Sequence, residues 1–95
     1  MKFTVKGPFQ ENIYNLMRKA GYSFQGKDED RSQLSFVKPR RGYPRFHIYL
    51  KPESDLVFTF HLDQKKTIYK GTTAHSGEYD GKIIEEEANR IKQCL

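Results

Sequence analysis

Two histidines stand in the stretch RFHIYLKPESDLVFTFHLD, and their side chains could transfer protons at neutral pH. His47 and His61 each occupy a polar position in an otherwise alternating apolar pattern. Imidazole titrates near pH 6.5, so it can act as a general base or a general acid. With Arg45 nearby to neutralise a phosphate, such a pair could cleave RNA without a metal. One histidine would deprotonate the ribose 2′-hydroxyl, and a second acid would protonate the leaving oxygen.

The alternation predicts two strands joined by a turn, each strand with one apolar and one polar side. Residues on one sheet face must pair with residues on the same face, so few registers are allowed. A turn that closes after Lys51 and before Val57 puts His47 directly opposite His61. A tighter turn puts His47 opposite Thr59. In both registers the two imidazoles share one face, where they are either a reactive pair or ordinary polar side chains facing solvent.

A metal site is a third interpretation of the same residues. His47, His61 and Asp63 resemble a two-histidine, one-carboxylate ligand set, and His75 could add a third ligand from the loop. Against this, no cysteine lies near them and no closely spaced ligand motif is present. The sequence therefore predicts no metal and no cofactor, with His47 and His61 as the candidate catalytic residues.

The segment from Arg31 to Lys51 carries six lysines and arginines and no aspartate or glutamate, whereas the whole chain has a net charge of +5. Arginine forks suit phosphate oxygens and tyrosine rings can stack on bases, which favours a nucleic acid, RNA above DNA. A second basic cluster, QKKTIYKGTT, follows at residues 64–73. The alternative is a solvated basic surface that aids solubility only. The predicted nucleic-acid-binding residues are Lys38, Arg40, Arg41, Tyr43, Arg45, Tyr49, Lys51, Lys65, Lys66, Tyr69 and Lys70.

The elements that position these groups follow from the periodicity of apolar residues. Periodicity predicts a short edge strand at 2–6, a helix from Pro8 capped by Gly21, strands at 33–38, 45–51 and 56–63, and a helix over 80–95. The order is β-α-β-β-β-α, with an extra short strand near Ser23 as an option. This order predicts a two-layer α+β sandwich, in which an antiparallel three- to four-stranded sheet carries both helices on one face. The other face would be open to solvent or to a partner.

Other segments limit the kinds of protein to which the chain can belong. The acidic runs at 27–30 and 85–87 are predicted to be exposed faces, and Ser76 or Asp80 could cap the last helix. Residues 64–79 lack a sustained period, which is typical of a functional or disordered loop, and His75 is expected to hold that loop by a hydrogen bond. The single cysteine, Cys94, excludes an internal disulfide. Without a signal-like or membrane-spanning apolar run, we expect one cytosolic domain over residues 1–95, with no membrane partner.

The chain also resembles a known family. A helix, AGYSF, a strand with FHIY, a strand with FHLD and then HSGEYDGKIIEEEANRIK resemble the layout of HicA-type RNA-cleaving toxins. That family is similar to the double-stranded-RNA-binding domain, with a helix, three strands and a helix. The segments 47–49 and 75–77 match its strand histidine and its HSG-like element. The resemblance implies that His47 is the catalytic base and that RNA is the substrate.

The sequence thus predicts a small, basic RNA-binding domain that uses the polar sheet face and the loops at 38–45 and 64–75. One alternative is a HicA-like, metal-independent endoribonuclease with His47 as general base. Another is a protein-interaction adaptor whose open sheet face or C-terminal helix docks a partner.

Overall fold

A computed structural model describes residues 1–64, 77–78 and 81–95. Neither helix in these ranges is long and apolar enough to cross a membrane. The elements, in chain order, are β1 (Lys2–Val5), α1 (Ile13–Lys19), β2 (Ser23–Asp28), β3 (Gln33–Lys38), β4 (Arg45–Pro52), β5 (Leu56–Asp63), β6 (Gly77–Glu78) and α2 (Lys82–Cys94).

The strands form one antiparallel sheet in the order β1-β5-β4-β3-β2, and the two-residue β6 also pairs with β5. The predicted edge strand near the start of the chain is confirmed as β1. The predicted count of three to four strands is wrong, because β2 forms a full strand between α1 and β3. Its alternation is broken by an irregularity between Phe24 and Gly26, and this hides the strand from a search for a strict period of two.

Both helices cover the same face of the sheet, which confirms the two-layer α+β arrangement. The alternating apolar positions of β3, β4 and β5 all point into a single core together with one stripe from each helix. The largest fully buried side chains of this core are Phe36, Phe58, Phe60, Met17, Ile48, Leu50, Ile84 and Ile91. The opposite sheet face, which carries His47 and His61, is called the polar face below.

Helix α1 begins at Ile13 rather than at Pro8, so the predicted start is wrong. The side chain of Asn12 accepts a hydrogen bond from the backbone N–H of Asn15 at 2.9 Å, which is the usual arrangement of an asparagine N-cap. The helix ends at Lys19 with Ala20 as its C-cap, and the predicted capping glycine, Gly21, follows with a φ of +92°, a conformation that glycine adopts without strain.

A buried carboxylate joins α2 to the sheet. Glu87 was expected on an exposed acidic face, but it is only 7% exposed, so that prediction is wrong for this residue. It accepts hydrogen bonds from Tyr22 at 2.8 Å, from Lys38 at 2.6 Å and from two guanidinium nitrogens of Arg90 at 2.8 Å each. Arg90 also donates to the backbone oxygen of Ala20 at 2.6 Å, which fixes the end of α1 to the same cluster.

The environment of Glu87 holds it in the charged form. Burial alone would raise the pKa of this carboxyl group, but hydrogen bonds from Arg90, Lys38 and Tyr22 outweigh burial and lower the pKa to about 2. Burial, reinforced by the charge of Glu87, raises the pKa of Tyr22 well above its usual range. Because Lys38 and Arg90 both lie against this carboxylate, they neutralise it and complete its hydrogen bonding.

Replacing Glu87 tests this cluster. Because the folded-state pKa lies below the ordinary value of 4.5, the stabilisation is complete above that value and is lost as the pH falls towards 2. Glu87→Gln should lower the free energy of unfolding at pH 7 by about 2–3 kcal/mol and flatten its decline between pH 5 and 2. Urea unfolding at several pH values measures this. Glu86→Gln, at an exposed position of α2, is the matched control, and equal effects of the two changes would contradict the assignment.

Candidate functional site

The register between β4 and β5 brings the two histidines together. His47 lies directly opposite His61, and Arg45 lies opposite Asp63, which is the wider of the two predicted turns. The centroids of the two imidazole rings are 5.0 Å apart. The shared face predicted for the histidines is therefore confirmed, and the tighter register is excluded.

The centre of the polar face is more enclosed than expected. His47 is 8% exposed, and Val37, its neighbour on β3, is 3% exposed. The side chain of His61 is 13% exposed. The expectation of an open, solvated face is therefore wrong at this position. The two histidines have only restricted access to water, which is typical of an enclosed binding or catalytic site.

Asp63 is the group on which the polar side chains converge. One carboxylate oxygen, Oδ1, lies 2.9 Å from Nε2 of His61. The other, Oδ2, lies 3.4 Å from Nε of Arg45 and 3.6 Å from Nδ1 of His47. These contacts arise because the antiparallel register stacks same-face residues of β4 and β5 over one another.

A hydrogen-bonded chain holds the second nitrogen of His47. Nε2 of this imidazole lies 2.7 Å from Oγ of Ser35, and the Ser35 hydroxyl donates to Oε1 of Gln25 at 3.1 Å. Which group donates in the contact with His47 depends on the tautomer of the imidazole, and Nδ1 faces Asp63 in either tautomer. Sequence reasoning missed both partners, because Gln25 reaches Ser35 only through the irregular pairing of β2 with β3.

The burial of His47 also affects the ionisation of its imidazole. Burial, followed by the neighbouring charge of His61, lowers the pKa of His47, although Asp63 opposes this. His47 is therefore a neutral imidazole near pH 7. A neutral imidazole can accept a proton or coordinate a metal, which a charged one cannot do.

A depression of 460 Å³ borders the histidine pair on the polar face. The ring of Tyr49 lies 4.5 Å from that of His47 and 6.1 Å from that of His61, centroid to centroid. The depression is lined by Asp28, Arg31, Gln33, Tyr49, Thr59 and His61. A small polar group or a water molecule bound there would be next to His61.

The predicted nucleic-acid-binding residues are divided among several places. Arg40, Arg41 and Tyr43 are exposed on the loop between β3 and β4, and the guanidinium of Arg45 lies 4.8 Å from the centroid of the Tyr43 ring. Lys51 is exposed at the far end of β4. Lys38 instead lies on the helix face, where it is bound to Glu87. The predictions for Lys65, Lys66, Tyr69, Lys70, His75, Ser76 and Asp80 fall outside the described residues.

A second depression, of 570 Å³, adjoins the loop between β3 and β4. Arg18 and Arg40 line it together with Tyr14 and Phe24, and the two aromatic rings contact edge to face at 5.1 Å. Tyr14 is 44% and Phe24 is 48% exposed. Sequence reasoning missed this surface, although Tyr14 is a large aromatic residue that lies off the apolar stripe of α1.

Removal of the Ser35 hydroxyl tests the hydrogen-bonded chain. Ser35→Ala leaves the buried Nε2 of His47 without its partner, so we expect the free energy of unfolding to fall by about 1–3 kcal/mol. Ser54→Ala, in the exposed turn between β4 and β5, is the control and should change stability by less than about 0.5 kcal/mol. Urea unfolding of both variants gives the comparison. Equal stabilities would show that the Ser35 contact contributes nothing.

Comparison with known proteins leaves the chain without an assigned family. No family model, no curated protein and no solved structure matches it. The function must therefore be inferred from the contacts, burial and charges of its own residues.

Proposed function

We propose that this protein binds single-stranded RNA, with the loop between β3 and β4 at the centre of the interface. The observation that carries the proposal is the depression beside this loop, where Arg18 and Arg40 stand next to the exposed rings of Tyr14 and Phe24. Guanidinium groups bind phosphate oxygens, and aromatic rings stack on bases. Stacking needs the flat side of a base, which a single strand offers and a duplex conceals.

The charges around this loop support the proposal. Arg40 and Arg41 are exposed, and no carboxylate in residues 1–64, 77–78 and 81–95 forms an ion pair with either of them. Lys38, by contrast, is bound to the buried Glu87. A phosphate at the loop would therefore meet two arginines that need not first leave a protein partner.

The aromatic residues add a sequence-tolerant contribution. Tyr43 extends from the same loop, is 39% exposed and already packs against Arg45. Stacking of a base on an aromatic side chain contributes about 1–3 kcal/mol. We therefore expect affinity for many single-stranded sequences rather than for one short motif.

Removal of the loop arginines tests RNA binding. Arg40→Ala combined with Arg41→Ala should weaken binding of a fluorescently labelled single-stranded RNA. It should also make the slope of log affinity against log salt shallower by about 1–2. Lys19→Ala combined with Lys82→Ala removes the same charge from the helix layer and should change neither quantity by a comparable amount. Fluorescence anisotropy at several salt concentrations measures both.

Two further ligands sharpen that experiment. Duplex RNA should bind more weakly than single-stranded RNA, because its bases cannot stack on Tyr14 and Phe24. If single-stranded DNA binds with the same affinity, the proposed interface still stands, but the preference for RNA over DNA is contradicted. An absence of salt-dependent binding to any nucleic acid would contradict the proposal and favour the adaptor interpretation.

A second candidate function is cleavage of the bound RNA by the histidine pair. It is favoured by the 5.0 Å separation of the two rings and by the lowered pKa of His47. His47 would take the proton of the 2′-hydroxyl, whose oxygen would attack the adjacent phosphorus. The bond to the 5′-oxygen would break as His61 gave that oxygen a proton. The HicA resemblance implies the same role for His47.

A gel of the bound RNA tests cleavage. Incubation with the protein in the presence of EDTA should shorten the RNA. His61→Ala should stop this while leaving anisotropy unchanged, because His61 does not line the depression beside the β3–β4 loop. Circular dichroism checks that the variant is folded. RNA that stays intact with the unaltered protein would exclude metal-independent cleavage and leave the binding proposal standing.

A further inference from the structure

We propose that His47, His61 and Asp63 bind one divalent transition-metal ion, and that Zn²⁺ fits the site best. The three residues offer two imidazole nitrogens and one carboxylate oxygen, all within 4.8 Å of one another. The proposal goes beyond RNA binding and does not depend on it, since none of these residues lines the depression beside the β3–β4 loop.

The spacing of the ligand atoms fits a small ion. Zinc bonds of about 2.0–2.2 Å with tetrahedral angles place neighbouring ligand atoms about 3.3 Å apart. Nε2 of His61 lies 2.9 Å from Oδ1 of Asp63, whereas Nδ1 of His47 lies 3.6 Å from the other oxygen, Oδ2. One ligand atom from each residue lies within 4.8 Å of the others, so the side chains must move closer together before one oxygen and both nitrogens enclose the ion.

The surroundings of His47 are those of a metal ligand. A coordinating histidine usually donates its other ring N–H to a neighbouring group, which fixes the tautomer and the ring orientation. Here Nε2 is held by Ser35, which is held in turn by Gln25. Nδ1 faces the Asp63 carboxylate at 3.6 Å, so the two groups can bind the same cation.

Asp63 is oriented in a comparable way. Its Oδ2 lies 3.4 Å from Nε of Arg45, while its Oδ1 is directed towards His61. Arg45 can therefore retain one oxygen while the other binds the ion. Outer contacts of this kind hold ligating carboxylates in many metal sites.

The type of donor selects the metal. Imidazole nitrogens suit zinc, copper, iron and nickel, whereas Mg²⁺ and Ca²⁺ prefer sites made entirely of oxygens. Zn²⁺ accepts two nitrogens and one oxygen in a tetrahedral arrangement without redox chemistry. We therefore expect Zn²⁺ to bind tightly, and Mg²⁺ and Ca²⁺ to bind weakly or not at all.

The position of the site beside the 460 Å³ depression gives it a chemical consequence. Sites with three protein ligands commonly hold a water molecule as the fourth, and zinc lowers the pKa of that water to about 7. Bound metal also uses the lone pairs that His47 would need as a general base. Metal binding and cleavage by the histidines alone therefore exclude each other, and this is why the cleavage assay contains EDTA.

Calorimetric titration with zinc chloride tests the site. The protein should carry no affinity tag and should have Cys94→Ser, because the exposed thiol of Cys94 could bind zinc by itself. We expect one ion per chain. Asp63→Asn and His61→Ala should each weaken binding at least about tenfold, and Ser35→Ala should weaken it about tenfold through His47 alone. Thr59→Ala, a change on the same face outside the ligand set, should leave the affinity unchanged.

The visible spectrum of the Co²⁺-substituted protein gives an independent readout. Intense d–d absorption marks four-coordinate cobalt, and it should be lost in Asp63→Asn. Circular dichroism confirms that each variant is folded. The proposal is overturned if zinc does not bind stoichiometrically, if the folded Asp63→Asn and His61→Ala variants retain full affinity, or if Mg²⁺ competes equally. The Arg40 and Arg41 double variant should keep its zinc affinity, so failure of RNA binding and failure of metal binding are told apart.

Discussion

The pairing of β4 with β5 is the constraint on which the rest of the molecule depends. It sets His47 against His61 and Arg45 against Asp63 on one face. On the other face the same register sets Ile48 against Phe60 in the core. A shift of one residue would exchange the two faces of a strand, so packing of the core keeps the polar side chains together on the opposite face. The chemistry of the polar face is thus specified by hydrophobic packing on the opposite side of the sheet.

Two carboxylates, Glu87 between α2 and the sheet and Asp63 on the polar face, each contact several cationic or hydrogen-bond-donating groups. The kinds of group that surround them differ. Glu87 is enclosed by the ammonium group of Lys38 and the guanidinium group of Arg90. Such a cluster joins helix to sheet and has no reason to change state. Asp63 is surrounded mainly by imidazoles, which can lose their protons and coordinate metals. The first is a structural connection, whereas the second has the composition of a reactive site.

The sequence predicts those parts of the fold that follow strict alternation. Strand β3 has the predicted bounds, and the β4–β5 hairpin has one of the two predicted registers, since period-two patterns fix both faces at once. The sequence predicts strand β2 only as an optional short strand near Ser23, because its alternation of apolar and polar residues is interrupted. The burial of Glu87 follows from its place on the apolar stripe of α2, three residues after Ile84 and four before Ile91. The charge of a glutamate conceals that position from a search for apolar residues. Ser35 and Gln25 could not be assigned to His47 at all, because their contact depends on strand order.

The irregular pairing at the outer strand has a consequence for solubility. In the described sheet β2 is an edge strand, and its pairing with β3 passes from Phe24 to Gly26 within the span of one β3 residue. An edge with an even row of free N–H and C=O groups can serve as a template for a second chain, and this is how sheet proteins polymerise. The irregularity twists that row out of line, and the charged Lys27 and Asp28 follow it. The same feature that hides β2 in the sequence therefore protects the protein from edge-to-edge aggregation.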